Sequence, residues 1–229
     1  MANRRPALSN RLRFLFNRIG EAARVIDVGT DHAALPIALI EENICDHVIG
    51  TDINRGPYAA ARKNVRAAGL EDRIDIMLTD GLTGIELRPD DTIVIAGMGG
   101  LEMTHILQEV SFDPRQRYLL QPNWTWTDLR AFLSAKRAAI RREDIILDRG
   151  KLYPFMEVCF DGSGKELEHT ECFAGPDLIR QLADGETVGE QRTILTRYFE
   201  RLHRLAAKRG IGDETWRQTA NNIERLLYD

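Results

Sequence analysis

Asp27, Gly29 and Asp31 fall together where the apolar run Val25–Gly29 gives way to polar Thr30, Asp31 and His32, and then to alanines and leucine, in the stretch VIDVGTDHAALP. A glycine at such a point lets the chain turn sharply and a ligand come close, and the helix that follows offers free N–H groups. A dinucleotide site would carry G-x-G-x-x-G, because a pyrophosphate needs close backbone approach at several points. Only Gly29 is present, and Asp31 takes the second glycine's place. A carboxylate there repels a pyrophosphate but suits a sulfonium cation or the amino group of a methionine moiety. The plain alternative is an ordinary strand-to-helix turn. His32 reads as a capping or packing residue rather than a general base.

Asp52, followed by Ile53, lies 23 residues beyond Gly29, the position from which an acid accepts hydrogen bonds from ribose hydroxyls. It reads equally as the cap of a helix starting near Asn54. Asp80 and Gly81, in LTDGL, place an acid where it can accept a bond from an adenine amine, or else form a turn. IVIAGMGG brings Gly97, Met98 and Gly99 to a fourth strand end with room for a ligand. Gln121 and Asn123, in LLQPNW, close a fifth. Amides offer both donors and acceptors, as reading a base edge requires. Nearby Trp124 and Trp126 read either as a stacking surface or as core anchors.

These groups share an edge only if the elements between them alternate. The spacing predicts strands over 25–29, 47–53, 73–78, 92–97 and 117–121, with helices over about 33–43, 56–68, 100–109 and 125–137. IRREDIILDRGKLYPFMEVCF then holds two extended runs joined by DRGK, a hairpin. The expected fold is α/β, a seven-stranded doubly wound Rossmann-like sheet of the class I methyltransferase type, with strand ends gathered on the edge where such sheets bind ligands. Residues 161–170 are a polar connector, and 176–229 read as helix broken at ADGETVG and KRGIGDE, an amphipathic helical hairpin with Asp213 as an N-cap. The division expected is 1–162 for the methyltransferase domain and 163–229 for a C-terminal helical domain.

Net charge is −4, yet basic residues cluster. Residues 1–24 hold six arginines (4, 5, 11, 13, 18, 24); 130–142 hold Arg130, Lys136, Arg137, Arg141 and Arg142; 192–209 hold six basic side chains. Within the last, Arg197, Arg201, Arg204 and Lys208 share one helical stripe. Each segment alone reads as a solvated face; three together favour a polyanion partner. Three scattered cysteines encode neither a disulfide framework nor a zinc site. With no apolar run of membrane-spanning length, the chain is expected to be cytoplasmic, without membrane or metal, and a monomer or weak homo-oligomer.

The segments LSNRL, IDVGTDHAALP, NVRAAGLEDRIDIMLTDGL, DTIVIAGMGG, LQPN and FAGP occur in order across about 170 residues. Together they resemble the bacterial tRNA adenine-N1 methyltransferases of the TrmK type, which act on adenosine 22. The resemblance implies S-adenosylmethionine as cofactor, tRNA as partner, and Asp27, Gly29, Asp31, Asp52, Asp80, Gly81, Gly97 and Met98 lining the cofactor site, to which His32, Ile53 and Gly99 are added as neighbours. Asp31, Gln121 and Asn123 are the candidates for the catalytic step: the two amides for holding a flipped base, Asp31 for contacting the donor or the adenine amine. Pro154 stands where that family more often has an acidic residue. A methyltransferase for another substrate, an NAD-dependent oxidoreductase and a non-catalytic RNA-binding protein are the alternatives.

Overall fold

A computed structural model of the chain describes residues 8–185 and 187–228. Seven strands form one sheet: β1 (Ala22–Val28), β2 (Cys45–Asp52), β3 (Ile74–Leu78), β4 (Asp91–Ala96), β5 (Arg117–Gln121), β6 (Ala139–Asp148) and β7 (Lys151–Cys159). Their order is β3-β2-β1-β4-β5-β7-β6. β1 to β5 pair in parallel, and β7 inserts antiparallel between β5 and β6. The order reverses between β1 and β4, which opens a crevice at their carboxyl ends.

Crossover helices α2 (Ala34–Glu41), α3 (Arg55–Ala68), α4 (Gly100–Gln108) and α5 (Trp126–Ala135) cover the two faces. Preceding them, α1 (Asn10–Ile19) is capped by the Ser9 hydroxyl, which accepts from Leu12 N, and buries Leu15, Phe16 and Ile19 against one face. Gly69 ends α3 in a left-handed conformation, with its N–H on Arg66 O.

The C-terminal region is α6 (His169–Ala174), α7 (Pro176–Ala183), α8 (Gly189–Arg209) and α9 (Glu214–Tyr228). Tyr198, Phe199 and Leu202 of α8 and Ala220 and Ile223 of α9 form a core with Leu178 and with Ile145 and Leu152 of the β6–β7 hairpin. Asp213 caps α9 by accepting from Trp216 N at 3.1 Å.

The structure revises the basic segments. Arg130 is fully buried, its Nε donating to Glu143 Oε1 at 2.8 Å. Arg24 is also buried, in a bidentate pair with Asp91. Arg13 meets Glu42, Arg18 and Arg142 meet Asp144, and Arg141 meets Asp161. Arg4 and Arg5 lie outside the described residues. Arg197, Arg201, Arg204 and Lys208, by contrast, are exposed on α8. This stripe keeps its charge available to a partner, as do exposed Lys136 and Arg137 of the second segment. No described helix is long and apolar enough to cross a membrane.

Candidate active site

Two cavities meet at Gly29, which lines both. The first, of about 640 Å³, runs over the ends of β2 and β3 and the start of α4, and includes Asp52, Ile53, Asp80, Gly81 and Met98. The second, of about 780 Å³, includes Asp27, Asp31, His32, Gly97, Gln121 and Arg11. Gly29 sits at φ +75°, and a Cβ on it would stand 3.1 Å from Met98 Cε, so a side chain there would strain the backbone and narrow the junction.

The turn after β1 is built from strained backbone. Asp31 and Ala33 both have positive φ, 51° and 56°, an arrangement that costs energy for residues with a Cβ and concentrates at ligand sites. Exposed Asp31 lines the second cavity together with Ala34 and Leu35, at a helix start that has no side-chain cap.

Asp27 is buried and accepts from Thr30 Oγ1 at 2.7 Å. Burial, helped by the charge of Asp52 and opposed by the Thr30 bond, pushes its carboxyl up to about 6. Because that lies above the usual 3.8, Asp27 favours the folded state below pH about 4 and loses on the order of 3 kcal/mol of that preference as pH rises through 6. A bound cation relieves this cost. Affinity for a cationic ligand is therefore expected to fall about tenfold per pH unit below about 6, where Asp27 must shed a proton on binding, and Asp27→Asn should abolish the dependence. Calorimetry between pH 5 and 8 reads this directly.

Asp52 Oδ1 accepts from Asn54 N at 2.8 Å and Oδ2 from Asp31 N at 3.4 Å, so the acid braces its own loop and borders the first cavity. An apolar wall of Ile53, Met98, Leu101 and Ile106 stands beside it. This pairing of acid and apolar surface fits a nucleoside, and the acids of the second cavity fit a cationic tail. Those same acids oppose a pyrophosphate, so the NAD reading is disfavoured.

The loops after β4 and β5 are stitched together. Asn123 N donates to Met98 O at 2.8 Å and its Nδ2 to Gly97 O at 2.6 Å; Gly100 N donates to Trp124 O and Leu101 N to Thr125 Oγ1. A Cβ on Gly100 would lie 2.2 Å from Thr125 O, so only glycine permits this approach. Gly99 sits behind the cavities, against Glu102 and Trp124. Trp126 is a core anchor, its Nε1 donating to Phe173 O at 3.1 Å, whereas Trp124 is 52% exposed.

Arg11 has no place among the candidates drawn from the sequence, where it counts only as charge, although LSNRL contains it. Its Nη1 donates to Asn123 Oδ1 at 2.9 Å and Gln121 Oε1 at 3.3 Å, its Nε faces Asp148 at 3.4 Å, and its guanidinium lies over the Tyr153 ring. Gln121 is buried, and its Nε2 donates to Pro122 O and Asn123 Oδ1. Both amides are thus held from within. No group of three or more His, Cys, Asp or Glu side chains that could hold a metal occurs among the described residues.

The family model described as tRNA (adenine(22)-N(1))-methyltransferase, TrmK, matches residues 25–208. A tRNA (adenine(22)-N(1))-methyltransferase of Bacillus subtilis is 34% identical over 148 residues, 64% of this chain and 62% of that protein. In that alignment the chain spans less than two thirds of its relative's length. A Streptococcus pneumoniae protein solved in complex with S-adenosyl-L-methionine is 28% identical, with a TM-score of 0.82 over 97% of this chain and 100% of that one. The solved Bacillus subtilis m1A22 tRNA methyltransferase TrmK is 25% identical, with a TM-score of 0.76 over 96% of both chains.

Proposed function

The chain belongs to the tRNA (adenine(22)-N(1))-methyltransferase family, and from that premise we propose that it transfers a methyl group from S-adenosylmethionine to N1 of an adenosine in tRNA, at position 22, in the cytoplasm. The observation that carries this reading is the pair of cavities joined at Gly29, one lined by an acid and an apolar wall, the other by Asp27 and Asp31.

In this reading Asp52 and Asp80 hold the nucleoside of S-adenosylmethionine beside Ile53, Gly81 and Met98, while Gly29 and Gly97 leave room at the junction. Asp27 and Asp31 face the cationic methionine end, with His32 at its rim. When bound, S-adenosylmethionine supplies an electrophilic methyl carbon. Methylation at N1 uses a lone pair already present and leaves the adenine ring cationic, so the protein needs no base to remove a proton. It needs negative charge and alignment. Asp31, exposed at the cavity, opposes the developing charge and accepts from the adenine amine. Asn123 and Gln121, braced by Arg11, position the extruded base. Residues 1–162 form the methyltransferase domain, and 163–229 a helical extension that engages the RNA.

The α8 stripe supports tRNA as substrate over a small molecule. Replacing Arg197, Arg201 and Arg204 together should weaken tRNA binding and flatten the slope of log Kd against log salt by roughly one per lost phosphate contact, read by fluorescence anisotropy. The reaction itself is tested with labelled S-adenosylmethionine and unmodified tRNA, followed by mapping of the modified nucleotide. Label on adenosine 22 N1 is the expected result. No transfer to tRNA, with transfer to a small molecule or protein instead, would overturn it.

A further inference from the structure

The β6–β7 hairpin closes through two residues, Arg149 and Gly150, between the paired Asp148 and Lys151. Both have positive φ, 49° and 77°. This is the type I′ pattern, whose first position strongly favours Asn, Asp or Gly, because other side chains crowd the backbone in the left-handed region. A long cationic side chain therefore stands where the fold prefers Asn. A local rule broken in this way points to a site where another demand outweighs stability.

The position of that side chain supplies the demand. Arg149 is exposed and lines the second cavity with Asp27, Asp31 and Gln121. It has no ion-pair partner among the described residues, and its neighbour Asp148 is already engaged by Arg11. An unpaired guanidinium at the mouth of a cavity with acids inside selects an anion that stays at the rim.

We propose that Arg149 is a phosphate clamp, holding the backbone of the target nucleotide at the mouth of the cavity while its base enters. This rests on the tRNA methyltransferase reading above. The other anion available is the carboxylate of the methionine moiety, and measuring S-adenosylmethionine affinity beside tRNA affinity separates the two. Arg149 forms a fork suited to bidentate phosphate contact, which a lysine does not reproduce.

The test compares the full chain with Arg149→Ala, Arg149→Asn and Arg149→Lys, using fluorescently labelled unmodified tRNA across a salt series, calorimetry with S-adenosylmethionine, and thermal unfolding. Arg149→Ala and Arg149→Asn should weaken tRNA binding about tenfold and flatten the salt slope by about one, with Arg149→Lys between them and the wild type. S-adenosylmethionine affinity should not change. Arg149→Asn should also unfold a degree or two higher, because it restores the residue the turn favours. Unchanged tRNA affinity and slope in the alanine and asparagine variants would overturn the proposal. So would a loss confined to S-adenosylmethionine affinity, which would assign Arg149 to the cofactor carboxylate. Wild-type chain that binds tRNA without transferring a methyl group would instead count against the functional reading, with the binding comparison still readable.

Discussion

Arg130→Ala is expected to destabilise the protein by about 3–5 kcal/mol, the usual cost of stranding one partner of a buried ion pair. Arg130 and Glu143 are both fully inaccessible at their side chains. Nε donates to Glu143 Oε1 at 2.8 Å, and Nη1 donates to Cys172 O at 3.1 Å and Phe173 O at 3.3 Å. The other carboxylate oxygen of Glu143 accepts from Asp177 N at 2.9 Å, at the start of α7. One ion pair thus joins α5, β6, α6 and α7, and Glu143 N to Asp177 Oδ2 and Gln181 Nε2 to Glu143 O add further polar ties between β6 and α7. Removing the guanidinium leaves the buried Glu143 carboxylate without its counter-charge and Cys172 O without its side-chain donor, while Phe173 O keeps the Trp126 indole. Glu143→Gln should cost less, since an amide oxygen can still accept from Arg130 and the carbonyl contacts survive. Replacing both by apolar residues of similar volume should recover much of the loss. At roughly 2–4 °C per kcal/mol for a chain of this size, calorimetry should place Arg130→Ala about 6–20 °C below the wild type. A change within 2 °C would mean that water reaches the pair.

That arginine also marks where the sequence stops being informative. Strand positions and the candidate ligand edge are legible because hydrophobic period and glycine placement are local properties. Asp27, Asp52 and Asp80 fall at or within two residues of their strand ends, where sequence spacing puts them, and the hairpin turn falls at Arg149 and Gly150 as DRGK implies. Charge is different. Arg24, Arg130 and Arg197 look alike in a linear count, yet the first two are buried against Asp91 and Glu143 and the third is exposed. The acids that neutralise them come from elements 67 and 13 residues away, and no spacing rule reaches that far. Arg11 escapes for the same reason: its partners Gln121 and Asn123 lie 110 and 112 residues distant. The strained φ values at Ala33 and Arg149 are hidden as well, because neither residue type favours positive φ, and Asp31 carries only the weak preference of aspartate for it.

Asn123→Ala is expected to lower turnover on tRNA at least about a hundredfold, some 2.7 kcal/mol of transition-state stabilisation, while S-adenosylmethionine affinity stays within about threefold. The reason lies in how the amide is held. Nδ2 donates to Gly97 O at 2.6 Å, and Oδ1 receives Arg11 Nη1 at 2.9 Å and Gln121 Nε2 at 3.3 Å. Its polar atoms therefore join the loop after β4 to the loop after β5 and to α1, and in the proposed reaction they fix the wall against which the base aligns. Alanine would cut all three ties. None of the hydrogen bonds of this side chain reaches the β1 turn or the Asp52 loop, where we propose that most of the methyl donor is held, so its binding should survive. Arg11→Ala should act through the same network and fall short of the Asn123 effect, because the Gly97 tie remains; Arg11→Lys, with one point charge in place of a fork, should restore only part of it. Single-turnover kinetics separates alignment from binding: a loss in the chemical step with unchanged Km for tRNA identifies positioning, and a rise in Km alone would make Asn123 a binding contact. Unchanged turnover in Asn123→Ala would remove the amide pair from the reaction and leave Asp31 as the group next to the base.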